Sequence, residues 1–374
     1  MYAHSCLPPY SKFVTPDAAE LQRRARKLLP RDVYDYYAGG SGRERTLRAN
    51  EKAWRQLWLA PRVLREVSAV DTSTRLLGTE FATPLCVAPT GYHGLAYPDG
   101  ELATAAGAAQ AGALFVLSTR SSRRIEDVAE VVAAAGGTWW FQVYLMRDRE
   151  LTAGLVRRAA AAGAAALVLT ADTPVVGRKR RNSADGVVSD EEFLVNLGRL
   201  ADMAAATQAA DVTFADISWL SEVAAGGGAR LPVVVKGVLR GDDAAACRAH
   251  GAAAVIVSNH GGRQLDGALP SALALPDVAG QPQPGSDWEV YADGGIRTGE
   301  DALAALALGA RAVFLGRPVL WALTCGGADG VRSLLAGLTD DLAHTMALAG
   351  AASIEQTAGI ARMAGPAASG SQPR

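Results

Sequence analysis

The fold is decided by residues 252–266, which read AAAVIVSNHGGRQLD. The apolar run Ala252–Val257 has the length and composition of a buried strand. Directly after it come His260, Arg263 and Asp266, with two glycines between the first two. A strand end crowded with reactive side chains is where an α/β barrel keeps its active site. We therefore predict a barrel strand here, with a functional site at its carboxyl end.

The residue types after this strand indicate the kind of ligand. His260 can exchange a proton near neutral pH. Arg263 offers a planar guanidinium that suits a carboxylate. The pair Gly261-Gly262 lets the backbone approach a flat ligand closely. This combination predicts a proton acceptor beside an acid-binding arginine.

From Pro84 onwards, short apolar runs alternate with Ala/Leu-rich helical stretches. Eight such strand–helix pairs predict an α/β protein with a (β/α)8 TIM barrel. An open doubly wound sheet is the alternative, weakened by the count of eight and by the missing Gly-x-Gly-x-x-Gly. The predicted strands are Leu85–Ala88, Leu114–Leu117, Trp139–Val143, Ala166–Thr170, Val233–Lys236, Ala253–Val257, Glu289–Ala292 and Ala312–Leu315. The predicted helices begin near Gly100, Arg123, Asp148, Asp216, Gly241, Pro270, Gly299 and Asp329.

The rest of the chain fits around this barrel as one domain over residues 1–374. Residues 15–81 show no strand–helix alternation and are predicted to form an N-terminal helical cap, before a barrel over 84–350. The fourth connection, residues 175–215, is long enough to act as a lid loop, although its charged composition also fits a solvated surface loop. The Gly/Ser/Pro-rich tail over 362–374 is predicted to be disordered.

Composition excludes several classes of partner. The 374 residues are 49% hydrophobic and 20% charged, which is ordinary for a globular protein. A net charge of −1 argues against nucleic acid as the main partner. The four cysteines are scattered without metal-type spacing, so no metal is expected. We also expect no signal peptide and no membrane segment, and therefore a cytoplasmic protein.

All eight predicted strand ends carry polar residues or glycine, and a barrel brings them to one rim. Gln142 and Tyr144 are two residues apart and so share one face of their strand. The candidate site residues at these ends are Pro89, Thr90, Gly91, Ser118, Arg120, Gln142, Tyr144, Thr170, Asp172, Lys236, Ser258, His260, Arg263, Asp293, Gly294, Gly295, Arg297, Gly316 and Arg317.

The last two strand ends indicate a phosphate site. Gly294-Gly295 and Gly316-Arg317 lie where TIM barrels hold a phosphate on backbone N–H groups, although two tight turns would look the same. These residues together predict a phosphorylated planar cofactor. FMN fits best because Lys236 could stabilise negative charge on its reduced ring. Pyridoxal phosphate bound to Lys236 is the alternative, but it explains the His260 and Arg263 pair less directly.

The order of these motifs resembles the family of FMN-dependent α-hydroxy acid oxidases and dehydrogenases. The resemblance runs from about Thr15 to Ile360. The motifs that carry it are Pro89-Thr90-Gly91, Gln142-Val143-Tyr144, Thr170-Ala171-Asp172-Thr173-Pro174, Val235-Lys236-Gly237-Val238, residues 258–266, Asp293-Gly294-Gly295-Ile296-Arg297 and Gly316-Arg317-Pro318.

The resemblance implies roles for five catalytic residues. His260 would take the hydroxyl proton of an L-2-hydroxy acid while hydride passes to flavin N5; a carbanion route competes with this. Asp172 would orient His260, Arg263 would hold the substrate carboxylate, and Tyr36 and Tyr144 would bond to the substrate.

The resemblance also implies FMN contacts, an electron acceptor and an assembly. O2 is the expected acceptor, giving H2O2 and a 2-oxo acid, in a homotetramer. The alternatives are a dehydrogenase with another acceptor, a decarboxylating monooxygenase, or a biosynthetic tailoring oxidase on an unusual substrate. The implied FMN contacts are Pro89, Thr90, Gly91, Ser118, Gln142, Thr170, Lys236, Ser258, Asp293, Gly294, Gly295, Arg297, Gly316 and Arg317.

Three departures from the family pattern concern the substrate. Lys179 stands where a second carboxylate-binding arginine is usual, so either a neighbouring arginine (178 or 180) replaces it or carboxylate binding is altered. Arg120 stands in place of a tryptophan and could meet a polar group of the substrate, or point to solvent. Gly91 replaces an alanine and is expected to open space beside the flavin. Together they favour a substrate larger than glycolate, aromatic like mandelate.

Two other classes are disfavoured. A flavin-dependent isomerase would not need an acid clamp such as Arg263. A non-catalytic flavin-binding protein would not need to retain His260, Arg263 and Lys236 together.

Overall fold

The predicted barrel is confirmed. A computed structural model describes residues 17–181, 187–189, 195–198, 203–280 and 288–363. Eight parallel strands close into a barrel in the order β4 to β11. The strands are β1 Leu57–Leu59, β2 Thr74–Leu76, β3 Thr79–Phe81, β4 Leu85–Val87, β5 Phe115–Ser118, β6 Trp139–Val143, β7 Leu167–Thr170, β8 Val233–Val238, β9 Ala254–Val257, β10 Glu289–Asp293, β11 Ala312–Leu315 and β12 Ala361–Met363. The helices are α1 Ala18–Leu28, α2 Arg31–Ala38, α3 Arg45–Trp54, α4 Glu101–Gln110, α5 Ile125–Ala134, α6 Arg149–Ala161, α7 Ala215–Ala225, α8 Gly241–Ala249, α9 Ser271–Ala279, α10 Gly299–Ala307 and α11 Arg317–Ala349.

The barrel strands are buried on both faces, and alternate residues contribute to two separate apolar clusters. Outward-facing residues such as Val233 and Val235 pack against the helices. Inward-facing residues such as Val234 fill the barrel interior, where Trp140, Tyr291 and Phe314 are the largest side chains. This two-residue alternation explains why the strand segments read as continuous apolar runs.

A β-hairpin closes the amino-terminal end of the barrel. Strands β2 and β3 pair around the two-residue turn Leu77-Gly78, where both residues have positive φ, as a tight hairpin requires. Leu76 is fully buried in the interior cluster. The amide of Leu77 donates to Glu289 Oε1 at 3.0 Å, and the Tyr291 hydroxyl donates to Glu289 Oε2 at 2.6 Å. We call this end of the barrel, with its aromatic interior, the floor.

The N-terminal cap is less purely helical than predicted. Helices α1 to α3 are followed by β1, β2 and β3, so residues 57–81 include three short strands. Strand β1 pairs antiparallel with β12. The predicted disordered tail is therefore wrong for Arg362 and Met363, which belong to β12, while residues 364–374 lie outside the described residues. Strands this short give too little periodic signal to be found in the sequence.

Seven of the eight barrel helices begin within two residues of their predicted starts, and the eighth does not. Helix α11 begins at Arg317 rather than near Asp329, with Pro318 in its first turn. Gly326 and Gly327 then interrupt its helical geometry. The prediction placed the helix after this interruption because two adjacent glycines resemble a loop.

The first part of the predicted lid loop is fixed to the cap. The amide of Gly42 donates to the Arg178 carbonyl at 2.9 Å, and Gly177 N–H donates to Gln264 Oε1 at 2.8 Å. Arg181 forms an ion pair with Glu44 at 2.9 Å. Of the rest of this segment, 187–189, 195–198 and 203–215 are described, and the acidic residues 190–192 lie outside them.

Within the described ranges, no helix has the length and apolar character that crossing a membrane requires. The same part of the chain holds no group of three or more His, Cys, Asp or Glu side chains placed to bind a metal ion.

Candidate active site

Two residues above the floor, the inward-facing positions of the barrel strands change from apolar to polar. Val234 precedes Lys236 in this way, and Trp140 precedes Gln142. We call this second level the polar ring. Its members are Ser118, Gln142, Thr170, Lys236, Ser258, Asp293 and, as a glycine, Gly316. On β4 the same level is occupied by the apolar Ala88, and Thr90 lies two residues further along the chain. Every one of the seven members was expected from the sequence to contact a cofactor, and the closed barrel brings all seven to one end.

Half of the polar ring is a chain of neutral hydrogen bonds across β5, β6 and β7. Ser118 Oγ donates to Gln142 Oε1 at 3.0 Å. Gln142 Nε2 donates to Thr170 Oγ1 at 2.9 Å. Both ends of the Gln142 amide are thereby oriented.

The other half is ionic. Lys236 Nζ donates to Ser258 Oγ at 2.8 Å and forms an ion pair with Asp293 Oδ2 at 3.0 Å. Both charged side chains are almost fully buried. The second carboxylate oxygen, Asp293 Oδ1, is buried without a hydrogen-bond partner in the described structure. Buried acceptors of this kind are rare unless a ligand or water completes them, so this oxygen suits a hydroxyl donor.

The reactive pair lies beside the ring. His260 Nδ1 is 2.9 Å from Asp172 Oδ1, and His260 Nε2 is 3.4 Å from the Tyr144 hydroxyl. An ionised carboxylate only accepts hydrogen bonds, so Nδ1 carries a proton, and in the neutral imidazole Nε2 has a lone pair. Burial raises the pKa of Asp172, but His260 and Lys236 outweigh it, and the net pKa is lowered below the ordinary value. Asp172 is therefore ionised and holds His260 as a base.

Gly237 makes the Asp172–His260 pair possible, although the sequence analysis assigned it no role. Its φ is +109°, and a Cβ at this position would lie 2.6 Å from the Asp172 Cβ. The carboxylate of Asp172 thus occupies the space that a side chain would need. A glycine inside a strand often marks a close approach of this kind, which is the signal that could have identified it.

Two arginines bind the carboxyl end of α2. Arg263 Nη1 donates to the carbonyls of Tyr36, Tyr37 and Gly39 at 2.8, 3.2 and 3.0 Å. Arg317 donates from Nε to Tyr37 O at 3.0 Å and from Nη2 to Gly39 O at 3.1 Å. These carbonyls end the helix, where the dipole favours positive charge. Within the described residues, the Arg263 side chain donates hydrogen bonds from Nη1 alone, which leaves Nε and Nη2 for a ligand.

The predicted phosphate arginines have protein partners in this structure. Arg297 forms an ion pair with Glu51 of α3 at 2.9 Å, a partner that the sequence reading missed. Burial, reinforced by Arg263 and Arg297, lowers the pKa of Arg317 to about 9. Positive charge is thus concentrated where Gly294, Gly295 and Gly316 line the same cavity. An anion such as phosphate would relieve this repulsion, so the residues present fit the phosphate end of FMN.

The basic residues considered for binding the substrate carboxylate differ in whether they line the cavity. Lys179 lines the cavity, with its Nζ 5.7 Å from the centre of the Tyr36 ring. Arg263 lies over the same ring at 5.2 Å. Arg178 and Arg180 are exposed and do not line the cavity, so the expectation that one of them turns inward stays a prediction. The site therefore combines one lysine and one arginine around a tyrosine.

Arg120 and Gly91 contact each other. Arg120 lines the cavity, and its Nη2 donates to the Ala206 carbonyl at 3.3 Å, so it does not simply extend into solvent. A Cβ on Gly91 would lie 3.0 Å from the Arg120 Cβ and 3.2 Å from its carbonyl oxygen. The missing methyl group therefore avoids a close contact with Arg120, and the expectation that Gly91 opens space beside the flavin stays a prediction.

The lid loop contributes residues that the sequence did not point to. The cavity has a volume of about 700 Å³. From this segment, Val176, Val188 and Met203 give apolar lining, and Lys179, Ser189 and Gln208 add polar atoms. No local motif marks these positions, because their approach to the cavity depends on the path of the loop over the barrel.

Comparison with known proteins gives consistent matches along most of the chain. Residues 25–361 match the family described as FMN-dependent dehydrogenase. The chain is 42% identical over 344 residues to 4-hydroxymandelate oxidase of Amycolatopsis orientalis, covering 90% of this chain and 95% of that protein. It is 41% identical over 352 residues to L-lactate oxidase of Nostoc sp., covering 90% and 94%. A solved structure of mandelate oxidase with benzoyl-formic acid superposes with a TM-score of 0.82 at 40% identity, covering 93% of this chain and 98% of that one.

Proposed function

This chain belongs to the FMN-dependent dehydrogenase family, and we propose that it is an oxidase of L-2-hydroxy acids with a bulky, aromatic side chain. Membership confirms the predicted family, the FMN cofactor and the oxidation of a 2-hydroxy acid to a 2-oxo acid. The residue roles, the preferred substrate and the electron acceptor are the proposed part.

The polar ring and the arginines would hold the cofactor. FMN, when bound, supplies the acceptor for the two electrons that leave the substrate. Asp293 Oδ1 offers an acceptor for a hydroxyl group, and Gln142 offers an oriented amide. Arg317 and the backbone of the glycines at the ends of β10 and β11 would receive the phosphate.

His260 would act as the base. The observation that carries this proposal is the Asp172–His260 pair at 2.9 Å, with Nε2 directed to Tyr144 in the cavity. Nε2 accepts the proton of the substrate hydroxyl, and Asp172 stabilises the imidazolium that results. The base needs no rearrangement before the proton moves, because the carboxylate already holds its Nδ1–H.

Arg263, Lys179 and Tyr36 would bind the substrate carboxylate. Arg263 is held from one nitrogen by three carbonyls, so its remaining edge is oriented before substrate arrives. Orientation of this kind reduces the entropy lost in reaching the reactive geometry. Tyr144, next to His260 Nε2, is placed to bond to the substrate hydroxyl.

A bulky substrate is supported by the lining of the outer cavity. Val176, Val188 and Met203 offer apolar surface, and Arg120 adds a cation beside Gly91. A substituted aromatic ring would use both, with Arg120 near its polar substituent. The relative from Amycolatopsis orientalis, whose name specifies 4-hydroxymandelate, is consistent with such a substrate.

Molecular oxygen is the proposed final acceptor. The substrate loses its hydroxyl proton and its α-hydrogen with two electrons, and O2 takes up two electrons and two protons to give H2O2. A dehydrogenase with another acceptor, a decarboxylating monooxygenase and a tailoring oxidase differ from this in acceptor, product or substrate.

The test is anaerobic mixing of the holoenzyme with (S)-mandelate, (S)-4-hydroxymandelate, (S)-lactate and glycolate, followed by admission of air. We expect the fastest loss of visible flavin absorption with the aromatic acids, then fast recovery in air with one H2O2 per oxo acid. Bleaching that is fastest with glycolate contradicts the substrate proposal. Slow recovery in air contradicts the oxidase, and a product one carbon shorter would identify the monooxygenase.

We also propose a homotetramer in the cytoplasm. The cysteines within the described residues, Cys86, Cys247 and Cys325, are free thiols, which suits a reducing compartment. Light scattering of the purified protein tests the assembly, and a mass other than four chains contradicts it.

A further inference from the structure

A buried histidine lies next to the cofactor cavity without a role in the proposed reaction. His93 follows β4, begins a short 3-10 helix, and is 1% exposed. Its Nε2 lies 2.5 Å from Thr90 Oγ1, and its Nδ1 lies 2.8 Å from Thr104 Oγ1 on α4. Thr90 lines the cavity, two residues beyond the level of the polar ring. His93 is thus joined to the site through one hydroxyl group.

We assign the direction of each hydrogen bond in this chain from the bond that Thr104 makes to the backbone. Thr104 Oγ1 donates its proton to the Gly100 carbonyl at 3.3 Å. A hydroxyl group has one proton, so Thr104 accepts from His93 Nδ1–H. Nε2 of the neutral imidazole is then an acceptor, and the Thr90 hydroxyl donates to it. Burial lowers the pKa of His93 against the opposing effects of Glu101 and of the Thr90 backbone, which favours this neutral form.

The backbone around His93 is held independently of the imidazole. Glu101 is fully buried and accepts from the amides of His93 and Ser122 at 3.0 and 2.9 Å, and from the Ser122 hydroxyl at 2.6 Å. Ser122 Oγ in turn accepts from Gly94 N–H at 2.8 Å. The main-chain position of residue 93 therefore does not depend on the ring, whose own bonds go to two threonines.

We propose that His93 is a positioning residue for FMN, which fixes the Thr90 hydroxyl as a pure hydrogen-bond acceptor toward the cavity. With its proton committed to His93, Thr90 Oγ1 presents lone pairs alone to a ring N–H or ribityl hydroxyl of the cofactor. The inference rests on the proposed assignment of Thr90 to the cofactor site. It is independent of which hydroxy acid is oxidised.

The test compares FMN binding by apoprotein variants, measured by quenching of FMN fluorescence. His93→Asn keeps a group near Nδ1 and loses the one facing Thr90, whereas His93→Gln keeps a group near Nε2. We expect about fivefold weaker FMN binding for His93→Asn and less than about twofold for His93→Gln, the scale of one hydrogen bond. Thr90→Val should match His93→Asn, and adding His93→Asn to Thr90→Val should have no further effect.

Several results would overturn the proposal. Unchanged FMN binding in His93→Asn does so, as do additive effects of His93→Asn and Thr90→Val. Equal losses in the Asn and Gln variants with a parallel fall in melting temperature would show a purely structural role. If His93→Asn does not fold, Thr104→Val replaces it, with about threefold weaker binding expected and no effect in the Thr90→Val background.

Failure of the proposed function is distinguishable from failure of this inference. Hydroxy acids that do not reduce the wild-type flavin contradict the proposed substrate class, but the FMN binding constants remain a test of His93. The shape of the visible flavin absorption band gives a second readout, which we expect to change in His93→Asn and Thr90→Val alike.

Discussion

The floor and the polar ring lie two residues apart on the same strands, but they differ in whether their polar groups have protein partners. In the floor, the rings of Trp140, Tyr291 and Phe314 lie with centroids 5.7 to 6.2 Å apart. The Tyr291 hydroxyl has Glu289 as its partner. In the ring, Asp293 Oδ1 is buried with no partner in the described structure. The polar groups of the floor thus have protein partners, whereas the ring leaves a buried acceptor for a ligand.

This difference separates stability from chemistry along one strand. The two residues of each pair lie on the same face of one strand, two positions apart: Trp140 and Gln142 on β6, and Tyr291 and Asp293 on β10. The first of each pair fills volume, and the second presents hydrogen-bonding atoms. Substitutions in the floor should therefore change the free energy of unfolding, and those around the ring should change binding or turnover.

The largest expected effect tests the chemistry above the ring. His260→Gln removes the base, which contributes about 10²- to 10⁴-fold in comparable cases. We expect turnover to fall by about 10³-fold while the protein stays yellow and its melting temperature stays within a few degrees of wild type. Steady-state turnover and the visible spectrum measure this, and near-normal turnover would rule out His260 as the base.

The second effect tests the floor. Trp140→Ala removes the largest interior side chain, and we expect a loss of about 4 kcal/mol in the free energy of unfolding. Urea unfolding of the apoprotein measures it. At temperatures where the variant is folded, its affinity for FMN should stay near that of wild type. A large loss of FMN affinity without destabilisation would mean that floor and ring are not separable.

The third effect concerns the ionic half of the ring. Lys236→Met leaves the Asp293 carboxylate buried without its ion-pair partner, and we expect the apoprotein to lose about 3 kcal/mol of stability. Adding Asp293→Asn should restore much of that stability but not FMN affinity. Urea unfolding and FMN titration distinguish the two quantities. Equal stability of wild type and Lys236→Met would show that the pair is not buried in solution.

The smallest effect is the pH dependence from Asp172. Its pKa is lowered in the folded state, so its stabilising contribution is complete above the unfolded pKa and is lost as pH falls through the folded one. We expect wild-type apoprotein to lose more stability than Asp172→Asn between about pH 6 and about pH 3. Urea unfolding at both pH values measures this, and parallel losses would contradict the ionised pair.

The sequence predicted the barrel and the ring for the same physical reason. Side-chain direction alternates along a strand, so apolar runs ending in Gln142, Lys236 or Asp293 carry both the strand and its functional end. Where alternation is too short, as in the hairpin of β2 and β3, the prediction failed. The predicted start of α11 was wrong because the kink at Gly326 and Gly327 has the same sequence pattern as a loop before a helix.

What the sequence could not supply are contacts between distant loops. Lys179 was placed by analogy with a motif, but Met203 and Gln208 reach the cavity through a path that no local pattern encodes. Glu51 pairs with Arg297 only because the fold brings α3 next to the loop after β10. His93 belongs to no motif that marks a site, and only the fold brings its two threonine partners to the imidazole.

The carboxyl end of α2 has a consequence for the order in which ligands bind. Arg263, expected to meet the substrate, and Arg317, expected near the phosphate, donate to the same carbonyls of Tyr37 and Gly39. Neither guanidinium can shift without changing the acceptors available to the other. Cofactor and substrate are therefore expected to be thermodynamically linked, so that each raises or lowers the affinity of the other by the same factor. The N-terminal cap, through the carbonyls at the end of α2, would act as the coupler between the two ligands.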